Sequence, residues 1–371
     1  MKTAVNRPVE NDMTIVNMAD AARTYFSVRA ARRAGTPPAQ IPLVYFDITR
    51  RCDSACVMCA FRDGAARAED ELSTEEITAL APALARKRAR IVSFGGGEPT
   101  LRPDLEEIIR EFRRAGISAH VNSNGLSMTP ERAASLADAG LSMIYISCDH
   151  CAPEKYRRIR NIDGFDRVVS AVECFKSLKR PVPVGINVAV SSLNESALED
   201  IADFFAGIKA DKIQFTPVNR LPQHKSMTEE VLEPLVPKDI EGVKSTLRRI
   251  AGKLDSLHIR SNTRHFIDNI HLAYEGRGGV PCYAGFLWVV IDPAGNVMPC
   301  YEYDTGLNLR ERTIDEIMDS EEFRSRLMAV KACGAKCLDC GSAETSERMR
   351  LAHAVGRPFE VYGEIRMHGG A

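Results

Sequence analysis

The 371-residue chain carries almost no net charge: 49 Lys and Arg against 50 Asp and Glu leave a formal −1. That balance removes any bulk electrostatic case for nucleic acid or a membrane surface as partner. Long apolar runs are missing as well. The apolar stretch Phe286–Ile291 is far too short to span a bilayer. Residues 1–17 lack the basic-then-apolar order of a signal peptide, so the expected location is the cytoplasm. No internal repeat or low-complexity tract occurs, and the eight histidines show no metal-ligand spacing. The length leaves room for one large α/β domain and a smaller appendage.

Cysteine is plentiful instead. Eleven cysteines in a chain expected to be cytosolic argue against structural disulfides and for metal binding or redox chemistry. Three fall within Cys52–Cys59, five within Cys282–Cys340, and Cys148, Cys151 and Cys174 lie between. Two separate clusters suggest two metal sites.

From Leu43 onward, short β-rich runs alternate with amphipathic helices, the pattern of a parallel sheet with crossover helices. Expected strands are Leu43–Ile48, Arg90–Phe94, Ser118–Asn122, Met143–Ser147, Pro183–Val190 and Lys212–Pro217. Ser73 stands three residues before Glu76, the spacing of a capping box, and Gly116 and Gly140 sit where helices end. Six strand–helix repeats make an open sheet or a partial (β/α)6 barrel, with the reactive site at the C-terminal strand ends. The expected organisation is an N-terminal helical extension over 1–42, the α/β core over 43–220, a helical insert over 221–281, a cysteine-bearing module over 282–345 and a tail over 346–371. In the extension, the basic face Arg29, Arg32 and Arg33 reads as solvated. In the module, Phe286–Ile291, a turn at Asp292–Asn296, and Val297–Met298 read as a β-hairpin.

Cys52, Cys56 and Cys59 form a C-x3-C-x2-C loop directly after the first strand. Three thiolates can hold three irons of a cubane and leave the fourth open for a cofactor or substrate. Zinc is the competing occupant, but it prefers four ligands in two separated pairs. The string Gly95-Gly96-Gly97-Glu98-Pro99 follows the second strand. Glycines there allow close approach of the backbone to a ligand, and Glu98 sets a carboxylate beside it.

Together these motifs resemble the radical S-adenosylmethionine (SAM) superfamily, over about Leu43 to Asn219. The resemblance implies a SAM-binding 4Fe–4S cluster on Cys52, Cys56 and Cys59, and a partial barrel of the radical SAM type. It implies that Gly96, Gly97 and Glu98 meet the methionine amino group of SAM. Asn122, in a TNG-like strand end, and Ser147 and Asp149, in an S-x-D strand end near the ribose, are further expected contacts. Arg160 resembles the arginine that meets the SAM carboxylate. Met58 stands where the family commonly has an aromatic residue. The implied chemistry is reductive cleavage of SAM to a 5′-deoxyadenosyl radical, which abstracts a hydrogen atom from substrate. An external reductant such as flavodoxin or ferredoxin is the implied protein partner.

The second cluster reads C-x12-G-x4-C from Cys282 to Cys300, followed by Cys333, Cys337 and Cys340. Four cysteines suit zinc on spacing alone. After a radical SAM core, the segment resembles the twitch module, the shortened relative of the SPASM domain. That likeness implies an auxiliary 4Fe–4S cluster on Cys282, Cys300, Cys337 and Cys340, with Cys333 as the substitute ligand. Cys174 and Trp288 read as core residues, the latter of the module. Arg264 and Asp268 are candidates for the cavity lining.

The expected activity is oxidation or remodelling of a small metabolite, sugar- or aminocyclitol-like, with the auxiliary cluster as electron acceptor. About 42 residues precede the first strand, too few for a leader-binding domain, which tilts the expectation away from peptides. Two alternatives stand beside it. One is a maturase of a ribosomal peptide or protein, and the other is an epimerase with Cys151 as hydrogen donor.

Overall fold

A computed structural model describes residues 10–59, 70–218, 229–277, 282–333, 337–338, 341–347 and 349. Six parallel strands form its centre: β1 (Leu43–Thr49), β2 (Ile91–Gly96), β3 (Ser118–Ser123), β4 (Leu141–Ser147), β5 (Val184–Val190) and β6 (Lys212–Pro217). All six stand where the sequence places them, to within two residues at most ends. The hairpin follows as β7 (Trp288–Ile291) and β8 (Val297–Met298). The sheet order is β6-β5-β4-β3-β2-β1-β7-β8, so the barrel is open.

The hairpin is not a separate unit. β7 runs parallel to β1, with Leu43 opposite Trp288 and Phe46 opposite Ile291. It thereby covers the backbone edge that β1 would otherwise expose. Trp288 packs edge-on against Tyr45, ring centres 6.2 Å apart, and belongs to the main core rather than to a core of the module. That same core runs without a break from Val28 through the barrel strands to Phe323 and Leu327. The opposite edge is closed differently. Ile213 N donates to Arg260 O at 2.8 Å, and Phe215 N donates to the Asn262 side chain at 2.7 Å.

Alternation along each strand sorts the side chains. Val44, Phe46 and Ile48 of β1, with Val92 and Phe94 of β2, face the helices and are almost fully buried. The helix Leu105–Arg114 meets them with Leu105, Ile108, Ile109 and Phe112, the i, i+3, i+4, i+7 stripe of an amphipathic helix. Phe94 and Phe112 form an edge-to-face pair at 5.2 Å. Each such side chain contributes about 1.5–3 kcal/mol on burial. The other parity, including Tyr45, Asp47, Ser93, Asn122, Ser147, Asn187, Gln214 and Thr216, turns into the barrel.

The expected caps form. Ser73 makes a complete capping box with Glu76, and Thr313, which the sequence reading did not name as a cap, makes another with Glu316. Gly116 and Gly140 adopt φ of +80° and +97° at helix ends. The helical insert holds two longer helices, Ile240–Ser256 and Arg264–Tyr274. Arg264 and Asp268, expected at a cavity, are largely and partly exposed. They lie on the outer face, where Arg248 pairs with Asp268 at 2.7 Å. Cys174 is core, as expected. Among the described residues no helix is long and apolar enough to cross a membrane.

Two of the three arginines on the basic face of the N-terminal helix Glu10–Ala34 are not left to solvent. Arg29 Nη1 donates to Met349 O at 2.6 Å, and Arg32 Nε donates to Cys282 O at 2.8 Å. The Arg33 carbonyl accepts from Lys331 Nζ at 3.0 Å. Carbonyls of the C-terminal module recruit Arg29 and Arg32, a pairing that local sequence does not encode, while the Arg33 side chain stays exposed as expected.

Candidate active site

After Thr49 the chain turns over the barrel mouth into Cys52–Cys59, and neighbours on several sides hold that loop. From the end of β2, Gly97 N donates to Thr49 O and Glu98 N to Arg51 O, both at 2.8 Å. From the turn after β3, Asn124 Nδ2 donates to Asp53 Oδ1 at 2.6 Å. From the helix Pro153–Arg160, Ile159 O accepts Val57 N at 3.0 Å and Arg160 O accepts Ser54 Oγ at 3.0 Å. Beyond β6, Val218, Leu232 and Leu235 pack against Val57 and Met58. Glu71 fixes the approach, accepting from Thr49 Oγ1 and Arg50 N at 2.8 Å each. Cys56 is buried, and Cys52 and Cys59 are half-buried. Burial pushes the Cys52 thiol up to about 11, so metal binding there must displace a proton.

The glycines answer to a need the sequence does not show. A Cβ on Gly97 would sit 2.2 Å from Arg51 O, and one on Gly96, at φ +109°, 2.3 Å from Thr49 O. What approaches so closely is the chain's own cysteine loop, laid directly over the end of β2. Glu98 is 1% exposed. Its Oε1 accepts from Thr100 N, Thr100 Oγ1 and Ser123 Oγ, and its Oε2 accepts from Asn124 N at 2.6 Å. Burial raises its pKa while these donors oppose the shift. The carboxylate therefore ties β2 to β3, a bracing duty the sequence did not disclose.

Helical phase separates the three neighbouring arginines. Arg157 and Arg158 are exposed, while Arg160 turns inward. Its Nε lies 2.6 Å from Asp149 Oδ2, and its Nη1 donates to Cys56 Sγ at 3.7 Å. Asp149 is fully buried, and its Oδ1 accepts Ala189 N at 2.7 Å. Two residues expected to touch cofactor are thus paired with each other. Ser147 is half-buried at the end of β4. Cys148 points away into the core, as strand alternation requires. Cys151 is half-buried at the core's edge, where burial raises its thiol pKa.

Inside the barrel, Asn122 Nδ2 donates to Ser93 Oγ at 2.9 Å, and Asn187 Nδ2 donates to Asn122 Oδ1 at 3.4 Å. Asn187 Oδ1 and Thr216 Oγ1 are buried without a partner among the described residues. Orphaned polar atoms facing a barrel interior ask for a ligand.

Asp47 escaped the sequence reading, although it is the one acid in an otherwise apolar strand, five residues before Cys52. It is 7% exposed, lies 3.2 Å from where a Gly95 Cβ would stand, and accepts from Tyr301 Oη at 3.4 Å. Among the described residues no cation pairs with it. Burial raises its pKa to about 7, with Tyr301 and Arg50 opposing and Asp292 assisting. The unfolded chain ionises near 3.8, so folding stability is greatest below that value and falls as pH rises through about 7. Asp47→Asn removes this loss. Its stability advantage over wild type should grow by about 2–3 kcal/mol between pH 5 and 8.5. Denaturant melts at both pH values test this, and an advantage independent of pH would refute it.

The described C-terminal cysteines flank the hairpin and the helix that follows it: Cys282 precedes β7, Cys300 follows β8, and Cys333 ends the helix Glu321–Ala332. Cys282 Sγ accepts from Ala284 N at 3.4 Å. Gly285, at φ +74°, lies so close to Pro299 that a Cβ would stand 2.7 Å from its ring, which brings the Cys282 turn beside Cys300. Tyr303 N donates to Cys300 O at 3.0 Å, and its hydroxyl meets the Cys333 thiol. Cys333 thus stands in the group, and Cys337 is half-buried. Cys340 lies outside the described residues.

Among the described residues no three Cys, His, Asp or Glu side chains converge closely enough to hold a single ion. A cubane asks for something else: one thiolate per iron, spread over the faces of a cluster. The clamped three-cysteine loop and the orphaned barrel atoms fit such a group with an organic ligand. The second set of thiols fits a further cluster.

Comparison with known proteins agrees with this geometry. The model of the radical SAM superfamily matches residues 46–205, the core of the sheet and its crossover helices. The SPASM iron–sulfur cluster-binding domain matches residues 282–341, so the protein is a radical SAM enzyme with a C-terminal SPASM-like module. SAM and 4Fe–4S clusters are the cofactors these domains imply. The chain is 26% identical over 300 residues to PqqA peptide cyclase of Rhizobium meliloti, covering 78% of this chain and 77% of that protein. It is 25% identical over 320 residues to AdoMet-dependent heme synthase of Oleidesulfovibrio alaskensis, covering 80% and 79%. Its fold is similar to that of Streptococcus suis SuiB bound to precursor peptide SuiA. That match has a TM-score of 0.61 at 14% identity, over 88% of this chain and 74% of that one.

Proposed function

We propose that this enzyme modifies a peptide or protein substrate. The observation that carries the reading is the relation to PqqA peptide cyclase, which spans both the core and the module. The small-metabolite expectation loses ground accordingly, since it leaned on a sugar- or aminocyclitol-like substrate that no relative described above supports. The heme synthase relative favours a second reading, in which the substrate is a tetrapyrrole.

In this reading Cys52, Cys56 and Cys59 hold the SAM-binding cluster, and Cys282, Cys300, Cys337 and Cys340, or Cys333 in place of one, hold the auxiliary cluster. When bound, these groups supply a hydrogen-abstracting adenosyl radical and a one-electron acceptor. The chain's own residues do the rest. Arg160 sets a fixed cation beside Cys56 and is itself oriented by Asp149. Glu98 locks the cysteine loop's floor to the turn after β3. Asn122, Ser147 and Asn187 offer polar contacts along the barrel wall. Asp47 stands between the glycine turn and Tyr301 of the module, facing the space a substrate must enter. Met58 and its apolar neighbours cover the loop and keep water off it.

The favoured outcome is oxidation, because a second thiol-bound cluster gives the removed electron a destination. Cys151 is not required for that outcome. The test is anaerobic incubation of reconstituted protein with SAM, dithionite and any short peptide encoded beside its gene, followed by mass spectrometry. A loss of two hydrogens is expected, and Cys151→Ala should retain most of the turnover. An unchanged peptide alongside turnover of a porphyrin would sink the peptide reading. An epimerised peptide of unchanged mass, lost in Cys151→Ala, would sink the oxidation.

A further inference from the structure

The N-terminal helix Glu10–Ala34 is fastened to the C-terminal module at three separated points. Arg29 reaches Met349 O, past the last cysteine. The end of the helix meets the helix Glu321–Ala332, which leads into Cys333. There Lys331 Nζ donates to Arg33 O, and Gly35 approaches Met328 so closely that a Cβ would stand 2.6 Å from its sulfur. Between these two contacts, Arg32 sits on the first cysteine of the module. Its Nε donates to Cys282 O at 2.8 Å, and its guanidinium lies 4.7 Å from the centre of the Tyr283 ring. The residues that bracket or bear the module's thiols are therefore gripped by one helix from outside the module.

We propose that this helix is part of the auxiliary metal site, with Arg32 as the positioning residue for Cys282. The inference rests on reading the module as an iron–sulfur site. The hydrogen bond fixes the carbonyl, and hence the peptide plane, of the residue that bears the module's first thiol. The planar guanidinium donates in its plane while stacking by its face, which lysine cannot do. It also places a permanent positive charge against the backbone of a thiol-bearing residue, where it stabilises the more negative, reduced state of any cluster held there. Arg32 holds the Cys282 carbonyl, so its effect passes through Cys282.

The test uses the full chain carrying Cys52→Ala, Cys56→Ala and Cys59→Ala, in which the auxiliary cluster is the one remaining. Arg32→Gln and Arg32→Lys are compared with the parent by iron content and by redox titration followed by electron paramagnetic resonance. In Arg32→Gln the ratio of reduced to oxidised cluster at a fixed potential should fall about tenfold, equivalent to about 59 mV for one electron. Arg32→Lys, which keeps the charge and loses the stacking, should fall between. Loss of iron in Arg32→Gln but not in Arg32→Lys, with the melting temperature unchanged, would support the same role. Identical potentials and iron contents in all three proteins would overturn it, as would equal unfolding of both variants. A parent that binds no iron at all would instead overturn the reading of the module.

Discussion

Anaerobically reconstituted protein should carry about eight irons per chain, and replacing Cys52, Cys56 and Cys59 by alanine should leave about four. The same replacement should stop 5′-deoxyadenosine formation entirely, because no other thiols share that loop. The loop is held by hydrogen bonds from β2, the β3 turn and the helix Pro153–Arg160, none of which uses a cysteine side chain except the Arg160 contact to Cys56. Loss of the thiols should therefore leave the barrel folded. Iron analysis, 5′-deoxyadenosine assay and circular dichroism on the triple variant separate these claims. Residual SAM cleavage in that variant would mean the catalytic cluster lies elsewhere, and loss of all eight irons would mean the two sites do not fold independently.

The strands were readable because alternation and turn residues mark them locally, and the cysteine loop and GGGEP string because their spacing is rare. The pairing of β7 with β1 was not readable. A run such as Trp288–Ile291 says that a strand is buried on both faces, but it carries no mark of which edge it joins. The glycines were identified, but the second reason for them was not, since no local pattern shows that Arg51 O lies against Gly97. Arg32 was misread for a related cause. An arginine that satisfies a distant carbonyl has the same sequence signature as one in water. Asp47 and Tyr301, which meet across 254 positions of sequence, were invisible until the sheet brought them together.

The largest stability effect is expected at Asp149 and Arg160. Asp149 is fully buried and Arg160 nearly so, their atoms 2.6 Å apart, and each answers the other's charge in a region with little water. Arg160→Met leaves a buried carboxylate whose remaining partner is the Ala189 amide, and should cost about 3–5 kcal/mol. Asp149→Asn keeps an acceptor for that amide but leaves the guanidinium beside Cys56 uncompensated, with a cost of similar size. The double variant Asp149→Asn/Arg160→Met contains neither charge. It should be less destabilised than the sum of the singles by about 2 kcal/mol or more, the signature of direct coupling. Iron retention should part company with stability here. Both variants lacking Arg160 lose the donor to Cys56 Sγ and should hold the SAM-binding cluster less well, even where the fold recovers. Denaturant titrations of the four proteins, with iron counted on each, decide the matter. Additive losses would show that the two side chains stabilise the barrel independently.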